Sequence, residues 1–305
     1  SAAKYGSLKR LTNYNVGAVS PIYKCFRFGK DENPIFWEHY FDGGAHEDGL
    51  SEFVNEGARA GRFNISVDTF LSISVCYPSE TEQQKIADCL GSLDDLIAAH
   101  SRKLAALQDH KKGLLQQLFP ADGETTPKLR FPGFEGEWRE NKIRKCAKLI
   151  TGIHLAPEDY GNSGALPYFT GPSDFTDLIS SISKWTNRKG NTGNLGDILI
   201  TVKGSGSGSI WKLNLKEVAL GRQLMALRPT DIVEDFLYFF METRQRYFAN
   251  LSLGNLIPGL SRDHILDTKV FLPDPPEQQK IANCLSDLDA LITAQTEQIA
   301  ALKTH

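Results

Sequence analysis

Arg222 and Gln223 stand side by side, a guanidinium fork next to a side-chain amide. Those two groups match the acceptor and donor pattern on the major-groove edges of guanine and adenine. Lys203, Ser205 and Ser207 lie in the glycine-rich run VKGSGSGS, where absent side chains let a backbone approach a ligand closely. Thr170, Ser173 and Asp174 follow a strand-like segment, Trp185, Asn187, Arg188 and Lys189 follow another, and Arg262 precedes a third. Near the start of the chain, Arg10, Asn13, Arg59 and Arg62 are of the same types. Each alone is equally the residue type of a solvated charge or a turn. Together they form a candidate set for contacts to phosphates and base edges.

The bulk numbers permit that chemistry without demanding it. The chain has 305 residues, 41% hydrophobic and 23% charged, as expected of a globular chain of about two domains. Its formal net charge is −3, but Trp138 to Pro273 holds 17 Lys or Arg against 13 Asp or Glu. One basic region therefore sits inside an acidic chain. No apolar run approaches a membrane span and no secretory core opens the sequence, so a cytoplasmic protein without membrane contact is expected. The five cysteines, Cys25, Cys76, Cys89, Cys146 and Cys284, show no CxxC spacing.

Catalytic readings are less well supported by the spacing. Asp197 to Gly208 (DILITVKGSGSG) is a strand followed by GxGxG and resembles the cofactor turn of a methyltransferase. Such a turn must open a helix so that its amides face the ligand, whereas SIWKLNLKEVAL reads as strand, turn, strand. Asn33-Pro34-Ile35-Phe36 resembles the Asn-Pro-Pro-Phe loop of adenine methyltransferases but lacks its second proline. The seven histidines include no HExxH or HxxxH, so no metal site is expected. No catalytic residue and no cofactor are assigned to this chain.

The elements that would position the candidate residues are written twice. The segment Glu82 to His110 recurs at Glu277 to His305, an offset of 195, with 17 of 29 pairs identical. Ile86, Leu90, Leu93, Ile97, His100, Leu104, Leu107, Lys111, Leu114 and Leu118 keep alternating spacings of four and three, a heptad seam. The second copy supplies Ile281, Leu285, Leu288, Ile292, Gln295, Ile299 and Leu302. Thr81 to Phe119 predicts a helix about 58 Å long at about 1.5 Å per residue. Equivalent midpoints of an antiparallel pair meet, so His100 is expected to face Gln295.

Residues 1–78 read as β-rich, with strands at Val16–Phe28 and Phe63–Val75 and a short aromatic helix at Asn33–Phe41. Residues 79–119 form the first long helix, 120–137 a linker, 138–273 a second domain and 274–305 a shortened second helix. Within 138–273, Ile143–Ile150 opens as helix or strand. Strands are expected at Leu166–Thr170, Ile198–Val202, Ser209–Leu213, Val218–Leu227 and Val270–Leu272, and a helix at Asp231–Leu251 capped by Asp231. The offset predicts that about half of a first domain and all of a second are present.

Helices opening PxxxEQxxIAxxLxxLDxLI and closing KKGLLQQLFP, followed by LRFPGFEGEW, resemble the specificity subunit of type I restriction–modification enzymes. The resemblance covers nearly the whole chain. It implies an α+β fold: mixed α/β target recognition domains, the first of them partial, joined by two long helices paired as an antiparallel coiled coil. It further implies a non-catalytic subunit that reads a bipartite double-stranded DNA target, with the helices setting the spacing. Methyltransferase (modification) subunits would dock on those helices and carry S-adenosylmethionine, and restriction subunits would add ATP-driven steps. The alternatives are an adenine-specific DNA methyltransferase and a coiled-coil adaptor that does not bind DNA.

Overall fold

The computed structural model describes residues 8–12, 16–20, 23–47, 49, 66–188, 190–253 and 259–304. The chain divides into two compact units, residues 1–103 with 297–305, and residues 104–296. Its mixture of helices and sheets is α+β, as the sequence leads one to expect.

In the first unit, helix α1 (Pro34–Asp42) begins where Asn33 accepts hydrogen bonds from the Ile35 and Phe36 amides at 2.9 and 3.1 Å. Pro34 follows at the first helical position, which needs no amide donor. Helix α1 buries Phe36 and Trp37 in a small core with Ala87, flanked by Phe28, Tyr40, Phe41 and Val75. The strands expected at Val16–Phe28 and Phe63–Val75 do not form among the described residues. Val67–Leu71 is instead helix α2, because the Ser66 hydroxyl caps the Thr69 amide at 3.0 Å and Asp68 occupies its first turn. The upstream aromatics pack as rings rather than in a ladder: Phe28 stacks on Trp37 at 5.3 Å and Phe26 lies 5.2 Å from Phe70.

Helix α3 (Glu80–Leu118, 39 residues) and helix α7 (Pro275–Lys303) are the two copies of the repeat. Every heptad position from Ile86 to Leu118, and from Ile281 to Leu302, is buried or half-buried, including His100 and Gln295. The repeat extends to detailed chemistry. The buried Gln83 amide donates to the Pro78 carbonyl at 3.1 Å and accepts the Asn33 amide, just before α1, at 3.1 Å. The buried Gln278 donates to the Pro273 carbonyl at 2.8 Å and accepts the Val233 amide at 3.0 Å. Val233 immediately precedes helix α5 (Glu234–Leu253), so that helix starts three residues after Asp231, the expected cap.

In the second unit, β1 (Arg139–Lys142), α4 (Ile143–Cys146) and β2 (Ala147–Thr151) lead into β3 (Tyr160–Gly161), β4 (Leu166–Phe169) and β5 (Trp185–Thr186). There follow β6 (Thr192–Asn194), β7 (Ile198–Thr201), β8 (Ile210–Lys212), β9 (Glu217–Leu220) and β10 (Leu224–Pro229). Helices α5 and α6 (Arg262–Leu266) and strand β11 (Lys269–Leu272) complete it. One sheet has the order β2-β10-β7-β8 and is antiparallel; another, β3-β5-β4-β9-β6, contains the parallel pair β4 and β9; β1 pairs with β11. The run expected at Val218–Leu227 is broken into β9 and β10 by a turn at Gly221–Gln223.

Strand β7 is buried on both faces, which explains its uninterrupted apolar sequence. Ile198 and Ile200 point into a core with Met225, Leu227, Phe236, Phe239 and Phe240, while Leu199 points into a second with Phe169, Leu213, Leu220 and Ala226. The first core also takes in Leu115, Leu118 and Phe119 from the end of α3 and Ile281, Ala282 and Leu285 from the start of α7. Both long helices therefore grow out of the packed interior of this unit.

Lys111, a polar seam position, lies 2.9 Å from Glu242 and 2.8 Å from Asp289, and 5.3 Å from the centre of the Phe239 ring. Burial pushes the Glu242 carboxyl above its ordinary range, and Lys111 only partly offsets this. A carboxyl with a raised folded-state value resists ionisation in the fold, so its contribution to stability declines as pH rises above the unfolded value. Removing the ammonium by Lys111→Met strengthens that penalty. The expected loss at pH 7 is about 2 kcal/mol, between the figures for exposed and buried pairs. Urea unfolding should show the loss shrinking toward pH 4 as Glu242 protonates; a loss that grows on acidification would contradict this account.

Candidate nucleic-acid interface

Loops distant in sequence meet in the second unit because glycines let their backbones touch. A Cβ built on Gly152 would lie 2.1 Å from the Gly221 carbonyl oxygen, a contact no other residue type allows. The Gly221 amide donates to the Phe169 carbonyl at 2.7 Å, tying the β9–β10 turn to the end of β4. The Gln223 amide oxygen lies close to both Gly171 and Gly204, and Pro172 packs on Gly206. Lys203 bridges to Gly259, and the Arg262 guanidinium donates to the Thr151 hydroxyl at 2.5 Å and the Leu149 carbonyl at 3.2 Å. Residues 151–154, 170–174, 203–208, 221–223 and 259–262 thus form one cluster. The glycine-rich run holds its turn through positive φ at Gly204 and Gly208, and at Gly208 even the built Cβ would press on the Ala249 amide at 2.7 Å.

Charge distinguishes this cluster from the rest of the unit. Elsewhere many cations are neutralised: Arg228 grips the buried Asp197 at 2.7 and 2.9 Å, and Arg130 grips Glu277. Lys142 and Arg144 share Asp267, and Lys212 is held by Glu234 and Asp235. Lys203 and Arg222 are exposed and have no carboxylate partner among the described residues, and the recorded partners of Arg262 are neutral oxygens. The Tyr168 hydroxyl is pushed up chiefly by burial and drawn back first by its hydrogen bond with the Leu155 backbone and less by the charges of Lys184 and Arg222. A cluster with cations unmatched by acids suits a polyanion.

Other members of the sequence-derived set are engaged internally. Asp174 accepts from the Thr170 amide at 2.7 Å and hydroxyl at 2.6 Å, while Lys184 donates to Asp174 at 2.9 Å and to Thr170 at 2.9 Å. Burial opposes the Asp174 charge, but the Thr170 and Lys184 hydrogen bonds outweigh it and hold the carboxyl below its ordinary value. Thr170 and Asp174 therefore brace the loop that presents the exposed Ser173. Lys184 was not among the sequence candidates; it lies ten residues from Asp174, with no local pattern to connect them. The Ser207 hydroxyl is turned inward without a partner among the described residues, whereas Ser205 is exposed.

Trp185, Asn187 and Arg188 line a separate hollow with Glu158, Asp159 and Tyr160. There Trp185 donates to the Ile182 carbonyl, Asn187 accepts from the Ala165 amide and Arg188 pairs with Asp159 at 2.8 Å. In the first unit Arg10 is paired with Glu38 at 2.7 Å. Asn13, Arg59, Arg62 and Lys189 lie outside the described residues. His100 belongs to the first unit and Gln295 to the second, so their expected pairing rests on the repeat offset alone.

The two motifs weighed for catalysis have structural roles. Asn33 spends its oxygen capping α1 and its amide nitrogen on Gln84 at 2.7 Å. The GxGxG run leads into strand β8, not into a helix whose amides could cradle a cofactor. No cluster of metal-ligating side chains occurs among the described residues.

Residues 135–304 match the family described as type I restriction modification DNA specificity domain. The chain is 29% identical over 166 residues to the type I restriction enzyme EcoDI specificity subunit of Escherichia coli, covering 53% of this chain and 34% of that protein. It is 21% identical over 249 residues to the MjaVIII specificity subunit of Methanocaldococcus jannaschii, covering 75% and 58%. The fold is similar to that of the S subunit of a type I restriction-modification system from M. genitalium, with a TM-score of 0.62, 16% identity and coverage of 90% of this chain and 70% of that one. The chain spans about half the length of the curated relatives it matches. With the matched segment covering more than half of its residues, the chain belongs to the type I restriction modification DNA specificity domain family.

Proposed function

We propose that this chain is a sequence-reading and scaffolding subunit that contacts one half of a bipartite double-stranded DNA target through the loop cluster of its second unit. The observation that carries this reading is the convergence of loops bearing Lys203, Arg222 and Arg262, cations unmatched by carboxylates among the described residues, in a chain of this family. Arg222 and Gln223 are the base-edge readers, and Lys203 and Arg262 hold phosphates. Long helices rooted in a packed core set the distance between half-sites and offer docking surface to methyltransferase subunits. S-adenosylmethionine and ATP chemistry belong to those modification and restriction partners, so the chain is non-catalytic by itself. Work in the cytoplasm fits this role; among the described residues no helix is long and apolar enough to cross a membrane.

Lys203→Ala should weaken binding of the assembled methyltransferase complex to all sequences alike and lower the slope of log K against log salt by about one. Arg222→Ala should instead cost about 1–3 kcal/mol on the cognate half-site and relax discrimination there. Fluorescence titrations on cognate and scrambled duplexes at several salt concentrations measure both. Identical salt slopes and identical discrimination for wild type and both variants would remove the loop cluster from the interface.

Spacing should be separable from reading. Inserting one helical turn into both α3 and α7, about 5.4 Å of rise, should change the tolerated spacer and leave each half-site sequence intact. Genome-wide mapping of methylated sites in cells carrying the insertion tests this. New half-sites with an unchanged spacer would defeat the proposal that the helices act as a ruler.

A further inference from the structure

The glycine-rich loop does not stand free; it rests on the second half of helix α5. A Cβ built on Gly208 would lie 2.7 Å from the Ala249 amide nitrogen and 3.1 Å from the Ala249 Cβ, so loop and helix touch backbone to backbone. One turn further along the helix, the Gly259 amide donates to the Ser252 carbonyl at 3.3 Å, and Gly259 bridges to Lys203. Both ends of the loop are thus seated on α5, Gly208 directly and Lys203 through Gly259. Phe248 is fully buried in the main core and fixes the rotation of the helix beneath them.

Residues three and four apart are neighbours on a helix surface. Arg246 stands three residues before Ala249 and Asn250 four residues after Arg246, so the two share the stripe that borders the loop, and both are exposed. Among the described residues Arg246 has no carboxylate partner, whereas Arg244 pairs with Asp122 and lies 5.4 Å from the Phe240 ring centre. Charge divides along this helix. Its acids Glu234, Asp235 and Glu242 all stand in the first half and are held by Lys212 or Lys111. From Thr243 to Leu253 the sequence contains no acid. The negative end of the helix dipole does not account for Arg246, because that attraction fades beyond the last turn and Arg246 lies about two turns before Leu253.

We infer that the DNA-contacting face continues from the loop cluster onto the second half of α5, where Arg246 and Asn250 hold the sugar–phosphate backbone beside the groove that the loops enter. This rests on the DNA-reading role proposed for the loops and adds to it a contact that carries no base information. An unengaged guanidinium fork matches two phosphate oxygens at once, and the Asn250 amide donates to the neighbouring phosphate. Because the helix carries the loop on its own backbone, a phosphate gripped by Arg246 fixes the register in which Arg222 and Gln223 meet base edges. Arg246 is therefore a positioning contact, distinct from the readers it serves.

Titration of the assembled methyltransferase complex on cognate and scrambled duplexes at several salt concentrations tests this. Arg246→Ala should weaken both duplexes alike, about five- to tenfold near 0.1 M salt, and lower the slope of log K against log salt by about one, with discrimination unchanged. Arg246→Lys keeps the charge and should restore the slope. Duplexes carrying a single neutral methylphosphonate at successive positions locate the contact: at one position the substitution should weaken the wild type and leave Arg246→Ala unaffected. Because Arg246 is exposed, both variants should melt like the wild type by circular dichroism. An unchanged slope for Arg246→Ala, or the absence of any such position, overturns the inference. If Lys203→Ala and Arg222→Ala still act in that case, the loops read DNA without help from α5. If those two variants have no effect, the loop reading falls and its continuation onto α5 falls with it.

Discussion

A single buried amide group ties each globular part to its long helix. The first amides of a helix lack partners within it, and here the amide next to the start of α5 is taken by Gln278 of α7. The other end of the same side chain holds the Pro273 carbonyl at the entrance to α7. Neither bond adds much by itself, roughly 0.5–1.5 kcal/mol net, but leaving its buried partner unsatisfied costs about 1–3 kcal/mol. A sliding or tilting of α5 against α7 would expose that cost at once. Gln83 does the same work before α1. A surface that must present side chains to a rigid ligand at fixed positions needs such a joint, because a loose hinge would blur contacts whose tolerance is a fraction of an ångström.

The joint works together with the two-faced strand β7. Its alternate residues feed separate cores, so displacing it would disturb packing against the helices and between the sheets simultaneously. The loops of the candidate interface leave from the ends of these strands and inherit their rigidity. Electrostatics then divides labour across the unit. Ion pairs such as Arg228 with Asp197 and Lys212 with Glu234 join neighbouring elements, and the loop cluster keeps cations that no acid neutralises among the described residues. Net charge would not have revealed this, since the basic excess is spread over the whole region.

The long helices were the most legible part of the sequence. A repeat with heptad spacing depends only on local order, and α3 spans the 39 residues that the pattern suggested, shifted by one. Strands buried on both faces were also legible, since β7 and β10 read as apolar runs. The start of the chain misled because alternating Phe26 and Phe28 look like a strand, whereas their partners are Trp37 and Phe70, chosen by tertiary packing. For the candidate site, residue type singled out loops that the fold brings together but could not separate side chains that face outward from those that brace. Thr170, Asp174 and Lys184 form a closed triad whose members are linked only in three dimensions. Arg222 and Lys203 were identified by type, and their isolation from carboxylates became evident from their surroundings.

On the proposed DNA-reading role of the loop cluster, the contact between Gly152 and Gly221 bears on how new targets could be acquired. A side chain at Gly152 would drive into the Gly221 backbone, and one at Gly221 would press on Phe169 and Thr170 at the end of β4, so the backbone beneath the loops has little room to change shape at these points. If the loop cluster reads DNA as proposed, retargeting has to proceed by redecorating fixed perches such as 203, 205 and 222 rather than by bending the backbone that carries them. Gradual reshaping of the scaffold is closed off by the absence of room for a single methyl group.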